Sequence, residues 1–432
     1  MKQKLLPLMA LVAVFCSHFG YAQQPKNIIL MIGDGMGSSY LAAHRYAKGS
    51  GQSGDNAQYV APTLLDELWR GNATTYPATE TIVTDSAAAA TTLATGIKTY
   101  NGAIGVDPQQ RPIPTTLVSA AKRRGWQVGL VSTSQLNHAT PASFIANHQS
   151  RRAYQPLADQ MQQALLQGQV DLLFGGGRDF FDTKALVQHK VAVATEWSQL
   201  ASLERTPAMA LLADVALPFA IDAKRDDRLA QLTTHALALL RQPDSGLLAV
   251  VEGSLIDWCG HANDIACVLA EMNDFANAVA AAKAFVDENP DSLLLVTADH
   301  ATGGLTLGAN GQYAWDHQLI AKVASSAKVI ATALLAADRS DPAIDRVWQA
   351  HVDFALQPRE RQLLQQVELN QRSMAAAVAR IIAARSHTGW TTSGHTAEDV
   401  PVLAYGVGAE WFNGLQDNSD IASKLLMLIS SP

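Results

Sequence analysis

The sequence predicts an α/β fold, with a central, mainly parallel sheet flanked by helices on both faces. Three observations predict it. Short apolar runs alternate with helical stretches along the chain. Several of those runs are apolar without alternation, as in strands buried on both faces. Acidic residues and histidines gather just after the runs end, where open α/β sheets carry their active groups.

Taken in order, residues 26–32, 127–133, 170–174, 246–252, 292–297 and 401–406 read as strands. Residues 115–124, 228–241 and 267–289 carry helical spacing between them. The rhythm breaks over about 310–387, which has helical pieces at 360–370 and 371–385 but no strand pattern. This stretch reads as a helical insertion over the core sheet.

Residues 1–22 are of another kind. Lys2 and Lys4 precede an apolar core from Leu5 to Phe15, and Gly20-Tyr21-Ala22 offers a small-residue cleavage site. This reads as a secretory signal peptide, so the chain is expected in the periplasm or outside the cell. The apolar core is too short for a membrane span, and no later segment runs to about 18 unbroken apolar residues. The formal charge of the 432-residue chain is −7, and losing the signal makes it more acidic. No basic stripe points to nucleic acid. Cys259 and Cys267 remain after the signal. Their compartment permits a disulfide, and two buried thiols are the alternative.

The tract Thr84-Asp85-Ser86-Ala87-Ala88-Ala89-Ala90 puts a hydroxyl beside an acid and before a run of small residues. Alanine is the best helix former, so a helix is expected with Ser86 in its first turn. Free N–H groups and the helix dipole there suit a phosphate, or an oxygen that must lose its proton. An N-cap serine on a buried helix is the plainer reading of the same tract.

Other strand ends supply metal ligands. Gly33-Asp34-Gly35-Met36-Gly37 sets one carboxylate in a tight turn, and lacks the spacing of the dinucleotide fingerprint. Glu252, Asp257 and His261 lie within ten residues after a strand. Asp299 and His300 end another, followed by Gly303-Gly304, and His395 sits in a Gly-containing loop before the last strand. Aspartate with histidine suits zinc, whereas an oxygen-rich set suits magnesium. Two His-plus-carboxylate sets and one oxygen-rich set make a three-metal centre.

With these motifs assembled, the sequence resembles the alkaline phosphatase family. The motifs occur in order: I-G-D-G-M-G at Asp34, T-D-S-A-A at Ser86, H-A-T-P-A at Thr140, S-R-R at Arg151, E-G-S-L-I-D-W-C-G-H from Glu252 to His261, T-A-D-H at His300 and S-G-H-T at His395. The resemblance implies an exported phosphate monoester hydrolase with two zinc ions and one magnesium. Asp257, His261 and His395 would hold the first zinc; Asp34, Asp299 and His300 would hold the second, beside Ser86. Asp34, Thr140 and Glu252 would complete the magnesium site. Ser86 would be the nucleophile of a phosphoseryl intermediate, and Arg151 would grip phosphate oxygens, with Arg152 its rival by one position. Asp85 would position Arg151. His138 and Trp258, a pairing found in some marine bacterial members, would stand behind the ligands. Inorganic phosphate would be product and inhibitor, and the resemblance leaves room for a homodimer.

Two rival classes stand beside this reading. A sulfatase would need a C/S-x-P-x-R nucleophile motif, which the alanines after Ser86 do not provide, and a two-zinc diesterase would not need the Thr140–Glu252 set. An exported protein that merely sequesters metal would have no use for Ser86 or Arg151.

Overall fold

The computed structural model describes residues 24–49, 60–79, 81–223, 225 and 227–430. The signal-peptide reading of residues 1–22 lies outside them.

Eight strands lead along the chain: β1 (Asn27–Gly33), β2 (Trp69–Thr74), β3 (Gln127–Gln135), β4 (Leu172–Gly176), β5 (Ala192–Ala194), β6 (Ala208–Leu211), β7 (Leu247–Gly253) and β8 (Ser292–Thr297). Strands Val400–Gly406 and Gly414–Asp417 complete a ten-stranded sheet. Its spatial order is Gly414–Asp417, β2, Val400–Gly406, β8, β1, β7, β3, β4, β6, β5. From β8 to β5 every neighbour is parallel. Val400–Gly406 runs antiparallel to both β8 and β2. The fold class expected from the sequence is therefore present, with one reversed strand inside the sheet.

The central strands are buried along nearly their whole length, which is why their sequences are continuously apolar. Register aligns their carboxyl ends. Ile32 pairs with Glu252 on one side and Thr297 on the other, while Ser132 pairs with Glu252. Asp34, Glu252 and Asp299 are thereby brought to one edge of three adjacent strands.

Helices cover the sheet. Arg228–Leu240 packs on Ile265–Glu288. The second is long and apolar enough by composition to cross a membrane, but it buries Val268, Met272, Phe275 and Val279 in the core. Arg228 is buried between these helices and bonds Glu271 and Asp274, each at 2.9 Å. Asp264 caps Ile265–Glu288 through the Cys267 N–H, and its other oxygen accepts from Ala327 N at 2.6 Å. Ala327 opens a helix of the 310–387 segment. That segment holds helices His317–Ile320, Ala327–Ala336, Asp341–His351, Pro358–Gln366 and Gln371–Arg385. Cys259 and Cys267 form a disulfide, which settles the alternative left open above.

Candidate active site

Ser86 is the first residue of the helix Ser86–Thr95. Asp85, not Ser86, is its N-cap: one carboxylate oxygen accepts from Ala88 N and from Gly102 N, each at 3.0 Å. An aspartate cap leaves the serine hydroxyl free, which the plainer reading of the tract would not have done. All ten residues of this helix are buried, so its small side chains are what let it enter the core.

The second oxygen of Asp85 lies 3.0 Å from Arg151 Nη1. Burial works against the guanidinium charge, but Asp85 wins and holds the Arg151 pKa above its ordinary value. Arg151 Nη2 is 3.3 Å from His138 Nε2, and the His138 ring meets Trp258 edge-on. Arg152 is exposed, although it lines the same cavity as Ser86, Tyr154 and Arg151.

Three groups of ligand-type atoms converge here, each within 4.8 Å: Asp257, His261 and His395; Asp34, Asp299 and His300; and Asp34, His138 and Glu252. In the first, His261 Nδ1 is 2.6 Å from the Ser393 carbonyl and His395 Nδ1 is 2.9 Å from the Thr84 carbonyl. A carbonyl only accepts, so both Nδ1 atoms carry hydrogen. That turns both Nε2 atoms inward, where they stand 3.1 Å apart beside Asp257. Two lone pairs tip to tip require a shared cation, and ligating histidines are held by this kind of backbone bond. In the metal-free protein the bond to Asp257 holds His261 protonated, its pKa raised to about 9. A divalent ion takes the place of that proton.

The second group follows the same logic. Thr302 Oγ1 donates to Asp257 at 2.6 Å, so it accepts from His300 Nδ1 at 3.3 Å. His300 Nε2 then faces Ser86 Oγ at 3.1 Å, Asp299 at 3.1 Å and Asp34 at 3.5 Å. Both Asp34 oxygens and one of Asp299 are buried without a hydrogen-bond partner. Burial, then repulsion from Asp299, Asp257 and Glu252, drives the Asp34 pKa well above the carboxylate range. Buried charge of one sign is costly unless a cation compensates it, so this donor set fits a metal.

In the third group Glu252 Oε1, Thr140 Oγ1 and His138 Nδ1 are likewise buried and unpartnered. Burial pushes Glu252 up to about 7 and His138 down to about 4. Arg151 only donates, so His138 Nε2 accepts and its Nδ1–H lies beside Asp34 and Glu252. The turn that carries Asp34 depends on Gly35, whose φ is +73°. A Cβ there would lie 2.7 Å from Thr302 Oγ1 and 2.9 Å from the Asp257 backbone.

Sequence reasoning missed several supporting residues. Thr302 orients both Asp257 and His300, and pairs with His395 in a two-stranded ribbon. Ser132 donates to Glu252 at 2.9 Å and lies 2.9 Å from Ser254 Oγ. Their signal was a run of hydroxyls, Ser132-Thr133-Ser134, where an apolar strand ends.

A family profile described as alkaline phosphatase matches residues 25–430. The chain belongs to the alkaline phosphatase family. It is 37% identical over 453 residues to alkaline phosphatase 3 of Bacillus subtilis strain 168, spanning 98% of this chain and 96% of that one. The structure of a cold-active alkaline phosphatase from a psychrophilic Shewanella superposes with a TM-score of 0.87 at 43% identity, covering 94% of this chain and all of that one. A mutant of the alkaline phosphatase of the Antarctic bacterium TAB5, with Mg bound in its M3 site, superposes with a TM-score of 0.68 at 28% identity, covering 95% and 99%. As an alkaline phosphatase, the protein is a metal-dependent hydrolase of phosphate monoesters.

Proposed function

We propose that this alkaline phosphatase is exported and cleaves phosphate monoesters through a phosphoseryl intermediate at Ser86. The observation that carries the reading is the position of Ser86 Oγ. It stands at a helix start, 3.1 Å from His300 Nε2, among buried carboxylates that lack partners. We assign one zinc to Asp257, His261 and His395, and a second to Asp34, Asp299 and His300. Asp34, Thr140 and Glu252 take magnesium, with His138 beside them and Trp258 against its ring. When bound, these ions supply Lewis-acid stabilisation of the attacking and departing oxygens.

Ser86 gives up its hydroxyl proton to solvent. Its Oγ bonds to phosphorus as the bond to the alcohol oxygen breaks on the opposite side, and the departing oxygen takes a proton from water. Arg151, oriented by Asp85, donates to the equatorial oxygens, and the positive end of the Ser86 helix dipole adds to that. Water entering from the side the alcohol left then cleaves the Ser86–phosphate bond and frees inorganic phosphate. Product phosphate meets the same donors, so it inhibits.

Export is supported by the N-terminal sequence alone. The 310–387 segment is read as an insertion, with a homodimer as the expected assembly. The deciding experiment is Ser86→Ala. Metal content should stay near normal, while acid-stable covalent phosphate on the protein disappears; trapping that survives would remove Ser86 from the role.

A further inference from the structure

A second cavity, of about 900 Å³, adjoins the candidate active site, and the two share His261 as a lining residue. It lies between the loop that carries Trp390 and Ser393 and the helix Gln371–Arg385 of the 310–387 segment. Phe219 and Trp390 give it apolar wall. Apart from His261, its charged lining consists of Lys328, Arg372 and Arg380, with no carboxylate among the described lining residues. These three cations are exposed, and none makes an ion pair with a described residue. In a chain of net charge −7, a cleft lined by one sign of charge concentrates the opposite sign, here anions.

Geometry connects this cavity to the reaction. Ser86 Oγ contacts His300; the His300 ring stacks on His395 at 3.6 Å between centroids; His395 lies 5.0 Å from His261. The imidazoles lead from the nucleophile outward to the cavity wall. In-line displacement sends the leaving group to the side away from Ser86 Oγ, and the cavity opens at the His261 end of this row, the end farther from Ser86 in the chain of contacts.

We propose that the cavity receives the leaving group and selects monoesters whose alcohol carries a second phosphate or carboxylate at its far end. Arg372 and Arg380, with Lys328, bind that second anion, and Phe219 and Trp390 cover the organic body between. This rests on Ser86 being the nucleophile. The cations sit on the 310–387 segment, so that segment sets substrate preference without touching the reacting atoms.

The test compares hexanediol bisphosphate with hexyl phosphate on the metal-loaded enzyme and on the double variant Arg372→Gln, Arg380→Gln. Both side chains are exposed, so the fold should be unaffected, and thermal melting checks this. The double variant should lose about tenfold in kcat/KM for the bisphosphate and change less than about twofold for hexyl phosphate. Calorimetric binding of the bisphosphate to metal-loaded Ser86→Ala protein should weaken about tenfold when the same two changes are added. High salt should erase the wild-type preference. Equal effects on both esters, or none on either, would overturn the subsite while leaving the Ser86 reading in place. Covalent phosphate trapped on Ser86→Ala protein would overturn the Ser86 reading, and the subsite with it.

Discussion

Asp85 and Arg151 are joined by a 3.0 Å ion pair, and the same carboxylate caps the Ser86 helix. One side chain thus sets both the start of the Ser86 helix and the direction of the Arg151 guanidinium. The two tasks separate by substitution. In Asp85→Asn the amide oxygen still caps, because Asn caps as well as Asp, but the charge that holds Arg151 is gone. We expect kcat/KM to fall about tenfold and phosphate inhibition to weaken, with stability changed by less than ~1 kcal/mol. Undiminished phosphate inhibition would contradict the positioning role.

Metal removal should expose a pH dependence. In the metal-free protein the His261 pKa is raised from 6.5 to about 9, chiefly by its bond to Asp257. The folded state then holds a proton that the unfolded chain releases. That stability is fully present below about pH 6.5 and is lost as pH rises through about 9. Chelated protein should melt roughly 3 °C or more lower at pH 9 than at pH 7. Metal-loaded protein should not show this loss, because metal binding displaces the proton. Below pH 6.5, His138 and His395, both held near 4 by burial, pull the opposite way. Glu252 and Glu271, pushed up to about 7 by burial, lose stability in the same direction as His261 around neutrality, so the His261 share is read as the difference from chelated Asp257→Asn protein above pH 7. A flat melting profile in the chelated protein would count against the Asp257–His261 coupling.

The third metal group can be tuned. Replacing His138 by Asp adds a carboxylate to Asp34 and Glu252, and magnesium prefers oxygen ligands. Magnesium occupancy at limiting metal should rise about threefold or more, read by elemental analysis. Glu252→Ala should lower it. Occupancy indifferent to both changes would move magnesium elsewhere.

The Cys259–Cys267 disulfide closes a loop next to Asp257 and His261, which share the helix Leu255–His261 with Cys259. The Cys259→Ser, Cys267→Ser double variant should lose about 2–3 kcal/mol of stability. It should also release bound metal to a chelator faster, since the helix that carries Asp257 and His261 is less constrained. Equal release rates would make the bond a matter of stability alone.

The buried middle of the molecule was legible in the sequence because its strands are continuously apolar. Ser292–Thr297 occupies the span expected of it, and the other expected strands shift by at most two residues. The outer strands of the sheet were not legible. Trp69–Thr74, paired on both sides, reads W-R-G-N-A-T and is half polar because most of its side chains are only partly buried. Ala192–Ala194 and Ala208–Leu211 are too short to carry a pattern. The reversed direction of Val400–Gly406 leaves no mark, since side-chain alternation is the same either way.

The site followed a similar rule. Carboxylates and histidines at strand ends announced themselves by residue type. Thr302 and Ser132 did not, because a hydroxyl that orients a ligand looks like any other buried hydroxyl until its partners are known. His138 was read from the sequence as standing behind the ligands, and its neighbours could not be read there: Nε2 accepts from Arg151, and the ring lies beside Asp34 and Glu252.

Asp264 has a consequence for exchanging parts between relatives. Its carboxylate is buried, pushed up to about 6, and shared between Cys267 N on one helix and Ala327 N on the 310–387 segment. A graft that swaps this segment for another must present a backbone N–H at the Ala327 position, so proline is barred there. Donor segments that meet this condition keep the bond that ties the segment to the corner carrying Asp257 and His261, which makes Asp264 a hinge pin between the two parts of the chain.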